Sequence, residues 1–178
     1  MKLLFFIAIE IPTPLKAEVI SLKEGFVDKY GVKHALKSPP HVTIQMPIRL
    51  ESRHVHELIE LLEKTCTYMQ HGRLELKGIG AFTPRTIFIE VVKNSWITSI
   101  HNTVKSALST LEFLNVEITE NFHPHLTLMT RDLSPNMFIM AMEDLKDLRI
   151  DQTIPVHKLT LYKHNSKTWE AHKVFALV

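Results

Sequence analysis

The sequence predicts an α+β fold of two similar, pseudo-symmetric lobes that share one groove, and three observations carry that prediction. A strand–helix unit recurs in each half of the 178 residues, with paired strands that favour largely antiparallel sheet over a doubly wound parallel one. The segment Pro40-His41-Val42-Thr43-Ile44 returns as Pro124-His125-Leu126-Thr127-Leu128, nearly half the chain later. No low-complexity stretch or flexible linker divides the halves, so residues 1–178 read as a single domain.

Residues 2–9 are an apolar first strand, bounded by Pro12 and Pro14. Leu15, Val19, Leu22 and Phe26 recur at three- and four-residue steps, an amphipathic helix over 15–29 that Gly31 ends. A loop with Lys33, His34 and Lys37 leads through Ser38-Pro39-Pro40 into a short strand, His41 to Met46, closed by Pro47. Ser52 caps a helix to about residue 69, striped by Val55, Leu58, Ile59 and Leu62. Residues 73–80 and 86–92 are two strands that turn at Phe82-Thr83-Pro84-Arg85. Asn94 or Ser95 opens a helix to about residue 111, with Ile97, Ile100, Val104 and Leu108 inward. Residues 115–123 form an irregular approach to a strand from His125 to about Arg131. Ser134-Pro135 starts a helix to about Leu145, with proline at the first helical position. Residues 153–163 and 169–177 form a final strand pair around His164-Asn165-Ser166-Lys167.

The composition excludes several classes. A formal net charge of +2, from 21 Lys+Arg against 19 Asp+Glu, does not hold a protein to nucleic acid by bulk charge, although it leaves room for a local phosphate site. One cysteine, Cys66, rules out an intrachain disulfide framework; it reads as a packed helical thiol. The apolar run after Met1 ends at Glu10 with no small-residue cleavage site, so it reads as a buried strand rather than a signal peptide. No apolar run approaches the roughly 18 residues a membrane span needs. The expectation is a soluble, cytoplasmic protein with a reduced thiol. The 11 histidines are the compositional oddity, and they point to proton transfer or metal.

The repeated segments answer that question. Side chains alternate along a strand, so His41 and Thr43 share one face, and Val42 and Ile44 the other; His125 and Thr127, Leu126 and Leu128 repeat the division. Each strand anchors to a core and presents an imidazole and a hydroxyl away from it. Splitting a phosphodiester needs one group to take a proton from the nucleophile and one to give a proton to the leaving oxygen. Histidine serves both roles near neutral pH. Threonine hydroxyls can donate to the non-bridging oxygens, whose charge must be stabilised in the transition state. Nothing in this chemistry requires a metal or other cofactor.

At these residues the sequence resembles the 2H phosphoesterase superfamily, and within it the LigT-like proteins of the 2′-5′ RNA ligase family, which include RNA 2′,3′-cyclic phosphodiesterases. Supporting likenesses are Leu3–Ile9, Phe82-Thr83-Pro84-Arg85 before Ile87-Phe88-Ile89, His123 before the second motif, and Leu161-Tyr162-Lys163. The resemblance implies a bilobal fold of two mostly antiparallel sheets, helices outside, with the motifs facing across a central cleft. It implies metal-free hydrolysis of a 2′,3′-cyclic phosphate, or a related 2′-5′ or cyclic phosphodiester, at an RNA end or nucleotide. His41 and His125 are then the general acid/base pair, and Thr43 and Thr127 phosphate ligands. The residues leave open which histidine is acid; analogy with enzymes that yield a 2′-phosphate gives water activation to His125 and leaving-group protonation to His41. Bacterial members often carry arginine five positions after the second histidine. Thr130 stands there in this chain, and Arg131 follows, expected by alternation to share the face of His125 and Thr127.

Other residues carry a plainer reading beside the functional one. Lys163 is a candidate phosphate ligand, and with His164 near Trp169 it would extend a basic cleft floor or lie on an exposed hairpin. His123-Pro124-His125 and His54-Val55-His56 have a spacing seen in metal sites, but no third ligand is evident, and His54 and His56 do not share a helix face. Lys33, His34 and Lys37 form a basic lip or a solvated loop; Arg85 lies at a turn; Tyr30 and Phe82 read as core. The rival function is a non-catalytic module that holds a nucleotide or RNA end in the same cleft. No membrane or obligate protein partner is expected, and the chain is expected to be a monomer.

Overall fold

The structure, a computed structural model, describes residues 1–114 and 121–178. The expected irregular approach at 115–123 therefore falls partly outside the described residues. Among the described residues four α-helices and eight strands follow in the order β1 (Lys2–Glu10), α1 (Leu15–Tyr30), β2 (His41–Glu51), α2 (Val55–Cys66), β3 (Gly72–Phe82), β4 (Thr86–Val91), α3 (Ser95–Leu108), β5 (His125–Met129), α4 (Pro135–Leu145), β6 (Asp151–Val156), β7 (Lys158–His164) and β8 (Trp169–Ala176).

The strands form one antiparallel sheet in the order β6-β3-β4-β5-β2-β1-β7-β8. The two sheets expected from the sequence are its halves. They meet at β2 and β5, which pair only at Val42↔Leu126, so the two motif strands lie side by side at a thin seam. β1 is buried on both faces: Phe5, Ile7 and Ile9 enter the main core, while Phe6 and Ala8 join Tyr162 on the opposite side. The main core also takes the inward faces of the helices, among them Leu58, Leu62 and Cys66 from α2 and Ile97, Ile100, Val104 and Leu108 from α3. Burial pushes the Cys66 thiol up to about 11, which keeps it protonated and inert.

Local chemistry sets the ends of these elements. Asn94 caps α3 by accepting from the Ile97 amide at 3.0 Å, and Ser134 caps α4 by accepting from the Met137 amide at 3.3 Å. Gly31 ends α1 with φ 69, a left-handed turn that costs a residue without Cβ little.

Two expectations are corrected. β2 does not stop at Pro47. The β1–β2 register shifts between Phe5 and Ile7, so Met46 and Pro47 lie opposite Phe6 in a bulge, where a residue without an N–H is tolerated. The stretch 153–163 is not one strand. It breaks at His157 into β6, an edge strand against β3, and β7, which pairs with β1 in the other half of the sheet. Pro155 lies in β6, and proline is accommodated on such an edge.

Candidate active site

Both repeated motifs open strands beside the seam, and their polar faces line one cleft of about 370 Å³. His41, Thr43, His125, Thr127 and Arg131 are all on its wall, with Lys23, His34, Lys37, Thr86 and Thr130. Phe6, Met46, Phe82 and Trp169 supply its apolar surface.

The two imidazoles are held in the same way. His41 Nδ1 lies 2.7 Å from the Pro39 carbonyl, and His125 Nδ1 lies 2.8 Å from the His123 carbonyl. A carbonyl only accepts, so Nδ1 carries the proton in both rings and the Nε2 lone pair is left for the cleft. Aromatic rings back each one. Phe6 is 4.8 Å from His41, while Phe88 and Phe82 are 4.8 and 5.0 Å from His125.

Burial sets the charge of the pair. It pushes His41 down to about 4 against the pull of the Pro39 carbonyl, and the charges of Lys23 and His125 add to the fall. Burial likewise lowers His125, opposed by the His123 carbonyl and by Glu90. Both rings are therefore neutral in the free cleft at pH 7.

Each histidine has a carboxylate opposite it in the ladder: Glu10 pairs with His41 across β1–β2, and Glu90 with His125 across β4–β5. Glu10 accepts from the Tyr162 hydroxyl at 2.7 Å and forms an ion pair with Lys16. Burial alone would raise its carboxyl, but those two bonds hold it below its ordinary value. Glu90 is 3.1 Å from His123 Nε2. His123 is thus tied to Glu90, and among the described residues no three His, Cys, Asp or Glu side chains gather to hold a metal ion.

Arg131 reaches the cleft by a different route from the one expected. β5 ends at Met129, so strand alternation does not extend to it; Arg131 instead adopts a left-handed backbone with φ 64. Thr130, at the position of the expected arginine, faces Thr86 with hydroxyls 2.9 Å apart. Asp132 follows, and one of its carboxylate oxygens accepts from the Lys33 and His34 amides, both at 2.8 Å. That clasp ties the basic loop of the first half to the end of the second motif.

Lys163 is not brought to the site. Along β7 it alternates with Tyr162, which faces Phe6 on the cleft side, and so shares the face of the core residues Leu159 and Leu161. Its charge is instead felt at His172. Trp169, however, does line the cleft; its ring meets Phe6 at 4.6 Å and His164 at 4.9 Å. His54 lies away from the cleft, where it stacks on Phe113 at 3.9 Å and pairs with Glu57.

The model of the 2′-5′ RNA ligase superfamily matches residues 11–168. The chain belongs to that superfamily. Among relatives of this superfamily member is a Bacillus cytotoxicus protein named "Putative phosphoesterase", 26% identical over 156 residues, covering 86% of this chain and 87% of the relative. The fold is that of TT0787 of Thermus thermophilus, at TM-score 0.73 with 16% identity, covering 99% of this chain and 98% of that one. It is equally that of E. coli LigT, solved in complex with 3′-AMP, at TM-score 0.71 with 18% identity, covering 100% of this chain and 99% of LigT. Motif and strand alternation in the sequence of this superfamily member do not point to Glu10, Glu90 or Lys23. The two glutamates had a signal: Ile7-Ala8-Ile9-Glu10 is repeated as Ile87-Phe88-Ile89-Glu90. Lys23 had a weaker one, a cation on the stripe of Val19 and Phe26.

Proposed function

We propose that this chain is a phosphodiesterase that opens a 2′,3′-cyclic phosphate, or a related 2′-5′ or cyclic phosphodiester, of RNA or a nucleotide, without a metal. The observation that carries the reading is the matched pair of imidazoles, each with Nδ1–H on a backbone carbonyl and Nε2 left for one cleft. Superfamily membership, the phosphoesterase name of the relative and the 3′-AMP complex of LigT support the substrate class.

In this mechanism one neutral imidazole accepts a proton through Nε2 as water attacks phosphorus. The bond from phosphorus to one ribose oxygen breaks, and the other imidazole, protonated at Nε2, gives that oxygen its proton. The product is a phosphate monoester, and the two rings have exchanged protonation states. A bound phosphate favours protonation of one ring, and the cost is greater at His41, which burial depresses to about 4. His41 is thus suited to the base and His125 to the acid, the reverse of the split the resemblance implies. Thr43, Thr127 and Arg131 donate to the non-bridging oxygens. We place these groups in one domain of two lobes that acts as a cytoplasmic monomer; among the described residues no helix is long and apolar enough to cross a membrane.

The test is hydrolysis of nucleoside 2′,3′-cyclic phosphates with EDTA present, using wild type, His41→Ala and His125→Ala. Turnover unaffected by EDTA and abolished in both folded variants is the expected result. Binding without turnover would make the chain a nucleotide-end binding module instead. Loss of activity in EDTA sinks the metal-free mechanism, and an active alanine variant sinks the two-histidine one.

A further inference from the structure

Lys23 lies on α1, is only 3% exposed, and nevertheless lines the cleft. Its ammonium has three N–H donors. One reaches the Ala35 carbonyl at 3.1 Å. Among the described residues no carboxylate oxygen lies within ion-pair distance of it. The groups that line the cavity with it are His34 and Lys37 on the loop, His41 on β2, and His125 and Arg131 from β5 and its end. All are cationic or neutral.

A buried cation without a counter-ion is costly, and a methionine of similar reach would avoid that cost. Its neighbours on the helix face are apolar: Val19 and Phe26 both enter the main core. Burial lowers the lysine to about 8, so it stays largely charged at neutral pH, and its charge is felt at His41. The missing element is an anion supplied from outside, at the place where the histidine and threonine pairs converge.

We infer that Lys23 is a phosphate ligand, whose free ammonium donors meet a non-bridging oxygen of the phosphate group held between His41 and His125. This rests on the reading of the cleft as a phosphodiester site. The ammonium would offset the charge that builds on that oxygen as water adds, and its own desolvation is already complete before substrate arrives.

Sulfate is the probe, because it stays doubly charged across the pH range used and binding needs no turnover. Its affinity is measured calorimetrically for wild type and Lys23→Met at pH 7 and pH 9.5. The expected result is at least a tenfold weaker affinity in the variant at pH 7, with unchanged circular dichroism. Wild-type affinity should also fall toward that of the variant at pH 9.5, while the variant changes less. A folded variant within twofold of wild type overturns the inference, as does a wild type that binds no sulfate or shows no such fall. A lysine that merely held the Ala35 loop would not produce that convergence. If the variant does not fold, the wild-type pH arm alone decides. A chain that hydrolyses no cyclic phosphate but binds sulfate through Lys23 loses the hydrolase reading and keeps this one.

Discussion

Glu10 lies directly opposite His41 in the β1–β2 ladder, and Glu90 stands in the same relation to His125 across β4 and β5. The carboxylates favour the charged form of the imidazole each one faces, against the burial that opposes it. Glu10→Gln and Glu90→Gln should therefore lower kcat about tenfold each, since a site that must protonate one ring loses part of its support. In the kcat/KM profile the acidic limb, set by the base His41, should move to lower pH in Glu10→Gln, and the alkaline limb, set by the acid His125, should move to lower pH in Glu90→Gln. A profile that keeps its limbs in both variants would show that the glutamates only hold Tyr162, Lys16 and His123 in place.

Assigning His125 as acid and His41 as base makes a separate prediction. A cyclic substrate whose leaving ribose oxygen is replaced by sulfur departs as a thiolate and has little need of an acid. His125→Ala should recover most of its lost rate on that substrate, and His41→Ala should not. The opposite pattern, read in single-turnover rates, would restore the split given by family analogy.

The same depressed histidines predict acid lability. His41 is lowered from 6.5 to about 4 in the fold, so between those values the unfolded chain binds more protons. The stability that His41 contributes is complete above about 6.5 and is lost as pH falls toward about 4, on the order of 2 to 3 kcal/mol. His125 is lowered too and acts in the same direction. Urea unfolding at pH 7 and pH 4.5 should show the loss, and His41→Phe should reduce it.

Asp132 joins the basic loop to the second motif by accepting from the Lys33 and His34 amides. Its replacement by alanine removes an anchor of the kind that caps helices, worth about 1 kcal/mol. The larger expected effect is on KM, raised severalfold, because Lys37 and His34, which line the cleft, sit on the loop that this clasp anchors. A KM equal to that of wild type would show that the loop stays in place without the clasp.

The parts of this site legible in the sequence are those governed by local periodicity. Alternation along a strand placed His41 with Thr43 and His125 with Thr127, and Asn94 and Ser134 announced their helices by their capping chemistry. What was not legible depended on partners distant in sequence. Pro47 reads as a strand end until Phe6 supplies the bulge that accepts it. Residues 153–163 read as one apolar run because local pattern does not say that β6 and β7 belong to opposite halves of the sheet. The side of Lys163 follows from Tyr162, whose neighbour Phe6 lies in another strand. The stripe of Val19 and Phe26 marks the side of α1 on which Lys23 lies, but the loop at Ala35 and the cleft that surround its ammonium are distant in sequence.

Lys23 also carries a stability signature independent of any ligand. An unfolded lysine holds its proton to about 10.5, whereas the folded one gives it up at about 8. Between those values the unfolded chain binds more protons, so stability rises with pH there. Below about 8 the fold bears the full cost of the buried charge, about 3 kcal/mol before the bond to Ala35 is counted. Lys23→Met removes both the charge and the bond, and a backbone hydrogen bond of that kind is worth about 1 kcal/mol. The variant should therefore be about 2 kcal/mol more stable than wild type at pH 7. Cys66 and Tyr162, both raised by burial, lower stability at alkaline pH in wild type and variant alike, so only the difference between the two proteins is informative. That difference should shrink steadily as pH rises from 8 to 10, measured by urea unfolding at each pH. A difference that stays constant over this range would mean that Lys23 holds its proton in the fold as firmly as in the unfolded chain.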